Sequence, residues 1–183
     1  MENHNIEKFQ KKIKQLHEET TAYVNEIKTL ISSSFQSNEL KILSYFTYTT
    51  NITHERESES LIIGTYHIHN IGNTSINKPY ICLKLSKSSP FHFSGKYINK
   101  NTTLSMQTND IWERLNDHKN KEEYWLKPIG KESIAPEQII SFSNFQAKWL
   151  PSEPYTGSIM GFTYCDEFND GIPSINQINL SGN

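Results

Sequence analysis

Between residues 5 and 35 the chain contains neither glycine nor proline, and its apolar residues recur at alternating steps of three and four. Ile6, Phe9, Ile13, Leu16, Thr20, Tyr23, Ile27 and Leu30 occupy the a and d positions of a heptad, a spacing that a helix gathers onto one side. The seam is uneven, because Thr20 puts a polar group at an a position and Phe9 and Tyr23 are large for a tight two-helix contact. Up to Leu16 the stripe is narrow and flanked by Lys11, Lys12, Lys14, Glu18 and Glu19; from Tyr23 onward Val24 and Ile31 widen it. A wide stripe belongs to a helix with more than one neighbour. The pattern predicts a helix over residues 1–36 that joins copies of the chain. The alternative is a helix folded back on its own domain, which would leave a monomer. Ser32 to Leu40, SSSFQSNEL, closes the segment with poor helix formers.

Beyond Leu40 the texture changes to short runs of alternating or apolar residues separated by turns. Ile42 to Tyr48, Leu61 to His69, Lys78 to Ser86, Pro90 to Phe93, Thr103 to Gln107, Glu123 to Lys127, Gln138 to Gln146 and Gly157 to Cys165 read as strands. A short helix is expected at Asp110 to Leu115, DIWERL, with Asp110 as its N-cap. Strands at this spacing, without alternating long helices, predict a mainly β protein: an antiparallel β-sandwich over residues 37–183, preceded by the helix. In the tail Gly171 to Asn183, the aliphatics Ile172, Ile175, Ile178 and Leu180 suggest that it docks.

With 183 residues, there is room for one domain and an extension. Aromatic residues make up 11%, which separates the chain from disordered segments. A net charge of -2 gives no basic footprint, so neither nucleic acid nor an anionic membrane is an expected partner. No segment approaches membrane-spanning length and the amino terminus lacks an apolar leader, so the expected location is cytoplasmic. The two cysteines, Cys82 and Cys165, each fall in a strand-like run and read as buried thiols.

The phrase IIGTYHIHNIGNTSINKPYICLKL resembles the strand, Asn-x-Gly turn, strand pattern of immunoglobulin-like domains of the adhesion and CARDB type. SIAPEQIISFSNF, Ser133 to Phe145, resembles the Pro-Gly-Glu lead-in to a later strand of such domains, with the glycine missing. The resemblance covers about a quarter of the chain. It implies a β-sandwich used for binding or spacing and brings no catalytic residues.

His67 and His69 are the first candidates for chemistry. Alternation places Ile62, Tyr66 and Ile68 on one side of their strand and Thr65, His67 and His69 on the other. A His-x-His pair on a strand can aim two imidazoles at a metal, but a site needs further ligands, and His92 in PFHF is the one plausible addition. The pair therefore reads as the outer face of a strand, with His67, His69 and His92 kept only as weak metal candidates. HERES at His54 lacks the second histidine of a zinc-protease helix, and the acids around Asp166, Glu167 and Asp170 lack the spacing of a calcium loop. Cys165 has no neighbouring histidine to make it a nucleophile. No phosphate loop, dinucleotide fingerprint or serine elbow occurs. No enzymatic activity and no cofactor is expected.

Trp112, Tyr124, Trp125, Trp149 and Tyr155 remain as candidate binding residues, since coplanar rings on one sheet face can stack a sugar or anchor a protein. Core and rim packing is the competing role for the same rings. The expected function is therefore non-enzymatic: a helix that oligomerises a β-sandwich interaction module, as in a structural particle or coat. The alternatives are a carbohydrate-binding module and, further away, a cupin-like metal enzyme.

Overall fold

The structure is a computed structural model and describes residues 2–36, 40–53, 55, 57–87, 89–99, 111–151 and 153–182, with helix side chains described over residues 11–29. The chain divides into two compact units, Met1–Asn38 and Glu39–Asn183. The first holds α1, Glu2–Gln36. Its threonines turn their hydroxyls back onto the helix: Thr20 Oγ1 donates to Leu16 O at 2.7 Å and Thr21 Oγ1 to His17 O at 2.8 Å. Such bonds satisfy a polar side chain locally.

The second unit is built from strands β1 Ile42–Asn51, β2 Ser60–Asn70, β3 Ile76–Asn77, β4 Tyr80–Leu85, β5 His92–Ser94, β6 Tyr97–Asn99 and β7 Trp112–Arg114. They are followed by β8 Glu123–Pro128, β9 Ser133–Ile134, β10 Ile139–Trp149, β11 Tyr155–Cys165, β12 Phe168–Pro173 and β13 Ile178–Gly182. One sheet runs β1-β2-β10-β5 and the other β12-β11-β4-β8-β7-β6, with β13 also on β11; β3 and β9 form a separate two-stranded ladder. Every pairing among the described residues is antiparallel except β6 with β7. This is the expected antiparallel β-sandwich with an N-terminal helix.

Alternation along each strand sorts the core. On β2, Ile62, Tyr66 and Ile68 are fully buried while Thr65, His67 and His69 face outward. On β4, Ile81, Leu83 and Leu85 enter the core and Tyr80, Cys82 and Lys84 take the other side. On β10 the phase slips. The register on β2 shifts between Phe142 and Phe145, with Asn144 at φ 56°, so Phe142 and then Phe145, Ala147 and Trp149 all point inward. A bulge adds one residue to the strand and so changes which parity faces the core.

Two polar devices tie the sheets together. Ser44 Oγ and Thr163 Oγ1 lie 2.7 Å apart and Tyr66 Oη lies 3.0 Å from Thr163 Oγ1, a buried chain of three hydroxyls spanning the two sheets. Burial, against the hydrogen bonds of that chain, keeps the Tyr66 phenol above its ordinary pKa. Between β12 and β13, the side chain of Asn176 mimics a strand. Its Oδ1 accepts the Phe46 N–H at 2.7 Å and its Nδ2 donates to Phe46 O at 2.9 Å, while Ile175 N donates to Ser44 O at 2.9 Å. The tail thus docks, with Ile178 fully buried, although Ile175 remains 71% exposed.

The helix expected at Asp110 to Leu115 is instead strand β7 over Trp112–Arg114, with Asp110 outside the described residues. Trp112 and Arg114 are both buried, a period of two that a helix could not provide. Arg114 lies over the Tyr124 ring at 4.3 Å and donates to Asn116 Oδ1 at 3.1 Å and to the Asn120 and Glu123 carbonyls. Tertiary contacts therefore override a six-residue helical signal. The strand expected at Thr103 to Gln107 falls outside the described residues.

Candidate interaction surfaces

On α1, the described seam positions are open to solvent: Ile13 is 57% exposed, Leu16 58%, Tyr23 66% and Ile27 55%, with Val24 beside them at 43%. Ile6, Phe9 and Leu30 belong to the same heptad and their side chains lie outside the described residues. Single exposed aliphatics are ordinary on a protein surface, whereas Ile13, Leu16, Tyr23, Val24 and Ile27 line one stripe of one helix face.

The five aromatic candidates do not form one surface. Trp112, Tyr124 and Trp149 are core residues, 2%, 5% and 3% exposed. Trp112 meets Phe142, Tyr124 meets Phe93, and Trp149 meets Phe91 and Tyr155, which itself packs on the core rim. The inward parity of β7, β8 and the far end of β10 places them there. Trp125 alone takes the outer side of its sheet.

There it joins two residues that sequence reasoning passed over, Tyr80 and Tyr164. Register aligns Phe162, Cys82 and Trp125 in one cross-strand row and Tyr164 with Tyr80 in the next. The Tyr80 and Tyr164 rings stack at 5.1 Å and 10°, and Trp125 sits 5.1 Å from Tyr164 and 6.2 Å from Tyr80. Glu123 pins the indole by accepting Trp125 Nε1–H at 3.0 Å and pairs with Lys84 Nζ at 3.2 Å, and these two contacts hold its carboxyl below the usual range. Tyr164 lies over Gly171, where a Cβ would come within 2.5 Å of the ring and where φ is +79°. Glycine is required there for both reasons. The result is a half-buried aromatic band with a charged edge. Beneath it Cys82 is buried, its thiol pushed up to about 12 by burial, and Cys165 in the core is pushed up to about 11 by the same cause. Neither has the lowered pKa of a nucleophile.

The histidines fall on the outer face of the other sheet, separated from one another in function. Tyr45, His67 and Ser141 form a row; His67 Nε2 lies 2.9 Å from Thr47 Oγ1, its Nδ1 lies 2.9 Å from Ser141 Oγ, and Tyr45 stacks on its ring at 4.7 Å. Both ring nitrogens are thus engaged by hydroxyls, and burial lowers its pKa. His69 approaches Glu137 at 3.9 Å. His92 stands opposite Lys148, whereas His67 stands opposite Ser141, a separation of roughly 20 Å along β10. Among the described residues no group of three His, Cys, Asp or Glu could hold a metal. The acids after Cys165 are used structurally, Asp166 pairing with Lys78 at 2.9 Å and Glu167 accepting from Asn77.

No protein family and no curated protein matches the chain. Among solved structures it is similar to a cohesin module from a Clostridium perfringens family 33 glycoside hydrolase, at 8% identity and a TM-score of 0.39, over 77% of this chain and 96% of that one. A structural-genomics X-ray target gives 12% identity and a TM-score of 0.33 over 79% and 88% of the two chains. The exo-β-N-acetylglucosaminidase of Vibrio harveyi gives 8% and 0.32, over 76% of this chain and 17% of that enzyme. Likeness this distant assigns no activity. Among the described residues no helix is long and apolar enough to cross a membrane.

Proposed function

We propose that the protein is a non-enzymatic binding or scaffolding protein in which α1 joins copies of the chain and each copy presents its β-sandwich to a partner. The observation that carries this reading is the exposed seam from Ile13 to Ile27 on a helix of 35 residues. Such a face is stabilised when a second helix covers it. Joining several sandwiches raises avidity with no change in the individual contact, which suits a cytoplasmic particle or coat component. Light scattering on a sizing column tests it: the full chain is expected as a multimer and a version beginning at Ser37 as a monomer. A monomeric full chain would refute the proposal.

A second reading rests on the outer band of Tyr80, Trp125 and Tyr164. Rings with a charged edge suit a pyranose, whose C–H faces stack while its hydroxyls reach Lys84 and Glu123. Retention on polysaccharide that disappears in Trp125→Ala would support a carbohydrate-binding module, and passage of the unaltered protein through a panel of such matrices would remove it.

A further inference from the structure

The charges beside the α1 seam distinguish the two ways in which a second copy could lie on it. We propose that α1 pairs with α1 of one second copy as an antiparallel two-stranded coiled coil, with the twofold axis passing midway between the Leu16 and Thr20 layers. This rests on the self-association proposed above and adds its geometry.

Reversing α1 on itself and shifting it two residues from full overlap, to the nearest register that sets a positions against d positions, puts Ile13 opposite Tyr23 of the second copy and Leu16 opposite Thr20. Each layer then pairs a larger residue with a smaller one. A parallel pair would instead stack Tyr23 on Tyr23 and Thr20 on Thr20. Because the Thr20 hydroxyl already bonds to Leu16 O, that layer needs no polar partner.

The flanks decide more sharply, since residues at e and g set the orientation of coiled-coil partners. On the side next to the d positions lie Lys12, Glu19 and Glu26; next to the a positions lie His17 and Val24. In the antiparallel pair like flanks meet, which sets Lys12 against Glu26 of the second copy twice. One like-charged contact, Glu19 with Glu19, falls at the axis, where each carboxylate also accepts Gln15 Nε2–H at 2.9 Å. In a parallel pair Lys12 would face His17 and Glu19 would face Val24, so among the described residues no acid meets a base. Two attractions against one repulsion favour the antiparallel arrangement.

Disulfide trapping reads the orientation directly, because both native cysteines are buried. Ile13→Cys and Tyr23→Cys are prepared separately and by co-expression, then oxidised mildly. In the antiparallel pair, residue 13 lies about 15 Å along the axis from its own counterpart. Neither variant is therefore expected to cross-link alone, while the co-expressed pair is expected to give a covalent dimer. Self-cross-linking of either variant, with a dimeric mass, would overturn the orientation and leave self-association standing. A monomeric mass for the unaltered chain would overturn both, and a trimer or tetramer would overturn the two-stranded pair. Lys12→Glu should weaken dimerisation about tenfold, with Glu26→Lys in the same chain restoring it. A double variant as weak as Lys12→Glu alone would also refute the proposal.

Discussion

Replacing Thr163 by valine removes one hydroxyl from the buried chain that joins the two sheets. The side chain keeps nearly its volume, so no cavity enters the account. Thr163 lies 2.7 Å from Ser44 Oγ and 3.0 Å from Tyr66 Oη, and Ser44 and Tyr66 are 1% and 0% exposed, so water cannot take its place. A buried polar group that loses its partner costs about 1–3 kcal/mol. If Ser44 and Tyr66 turn toward each other part of that is recovered, and the expected loss is about 2–3 kcal/mol. For a unit of this size that lowers Tm by about 5–10 °C. Calorimetry and urea titration of the full chain would measure it. Tyr66→Phe deletes one end of the chain and leaves the Ser44–Thr163 bond, so about 1 kcal/mol is expected. The double variant should cost less than the sum, because after Tyr66→Phe the valine has only Ser44 to deprive. A Thr163→Val protein within about 0.5 kcal/mol of the unaltered one would refute the assignment of these hydroxyls as a stabilising inter-sheet link.

Asn176→Ala should cost about 2 kcal/mol, because both Phe46 backbone groups lose their partner; Asn176→Asp should retain part of this through the N–H bond alone. His67 has its pKa lowered by burial, so the unfolded chain takes up the proton first. Its contribution is complete above the unfolded value of about 6.5 and falls away as the pH drops below it. The fall in Tm between pH 7.5 and 5.5 should therefore be smaller in His67→Asn, and an equal fall would contradict the assignment. With thiols raised to about 12 and about 11, Cys82 and Cys165 should resist a disulfide reagent at pH 8 until the sandwich is unfolded by urea. Rapid labelling of either in the folded protein would show that its cover opens.

The long elements were legible because their periods were clean. Period two over Leu61 to His69 fixed the inward Ile62, Tyr66 and Ile68, and it placed His67 and His69 outside. The aromatic site was less legible. Trp149 becomes a core residue only through the bulge at Asn144, which changes the inward parity of β10 partway along. Tyr80 and Tyr164 were hidden for a different reason: they meet across a pairing of β4 with β11 that links distant segments, and no local pattern encodes that neighbour. The alternation of Tyr80, Cys82 and Lys84 against Ile81, Leu83 and Leu85 did carry the signal that Tyr80 faces outward. At β7 a buried arginine, held by ring faces and carbonyls with no carboxylate contacting it among the described residues, made DIWERL look like an amphipathic helix turn.

The Asn176 clasp also sets an order of events on the ribosome. Phe46 waits for a partner 130 residues further along the chain, so the sandwich cannot close until that segment has been synthesised. The helix needs only contacts three and four residues apart and can form while translation continues. If α1 joins copies of the chain as proposed, two nascent chains on one messenger would meet through their helices before either has a finished domain. Copy number would then be decided during synthesis, ahead of any binding the completed sandwich performs.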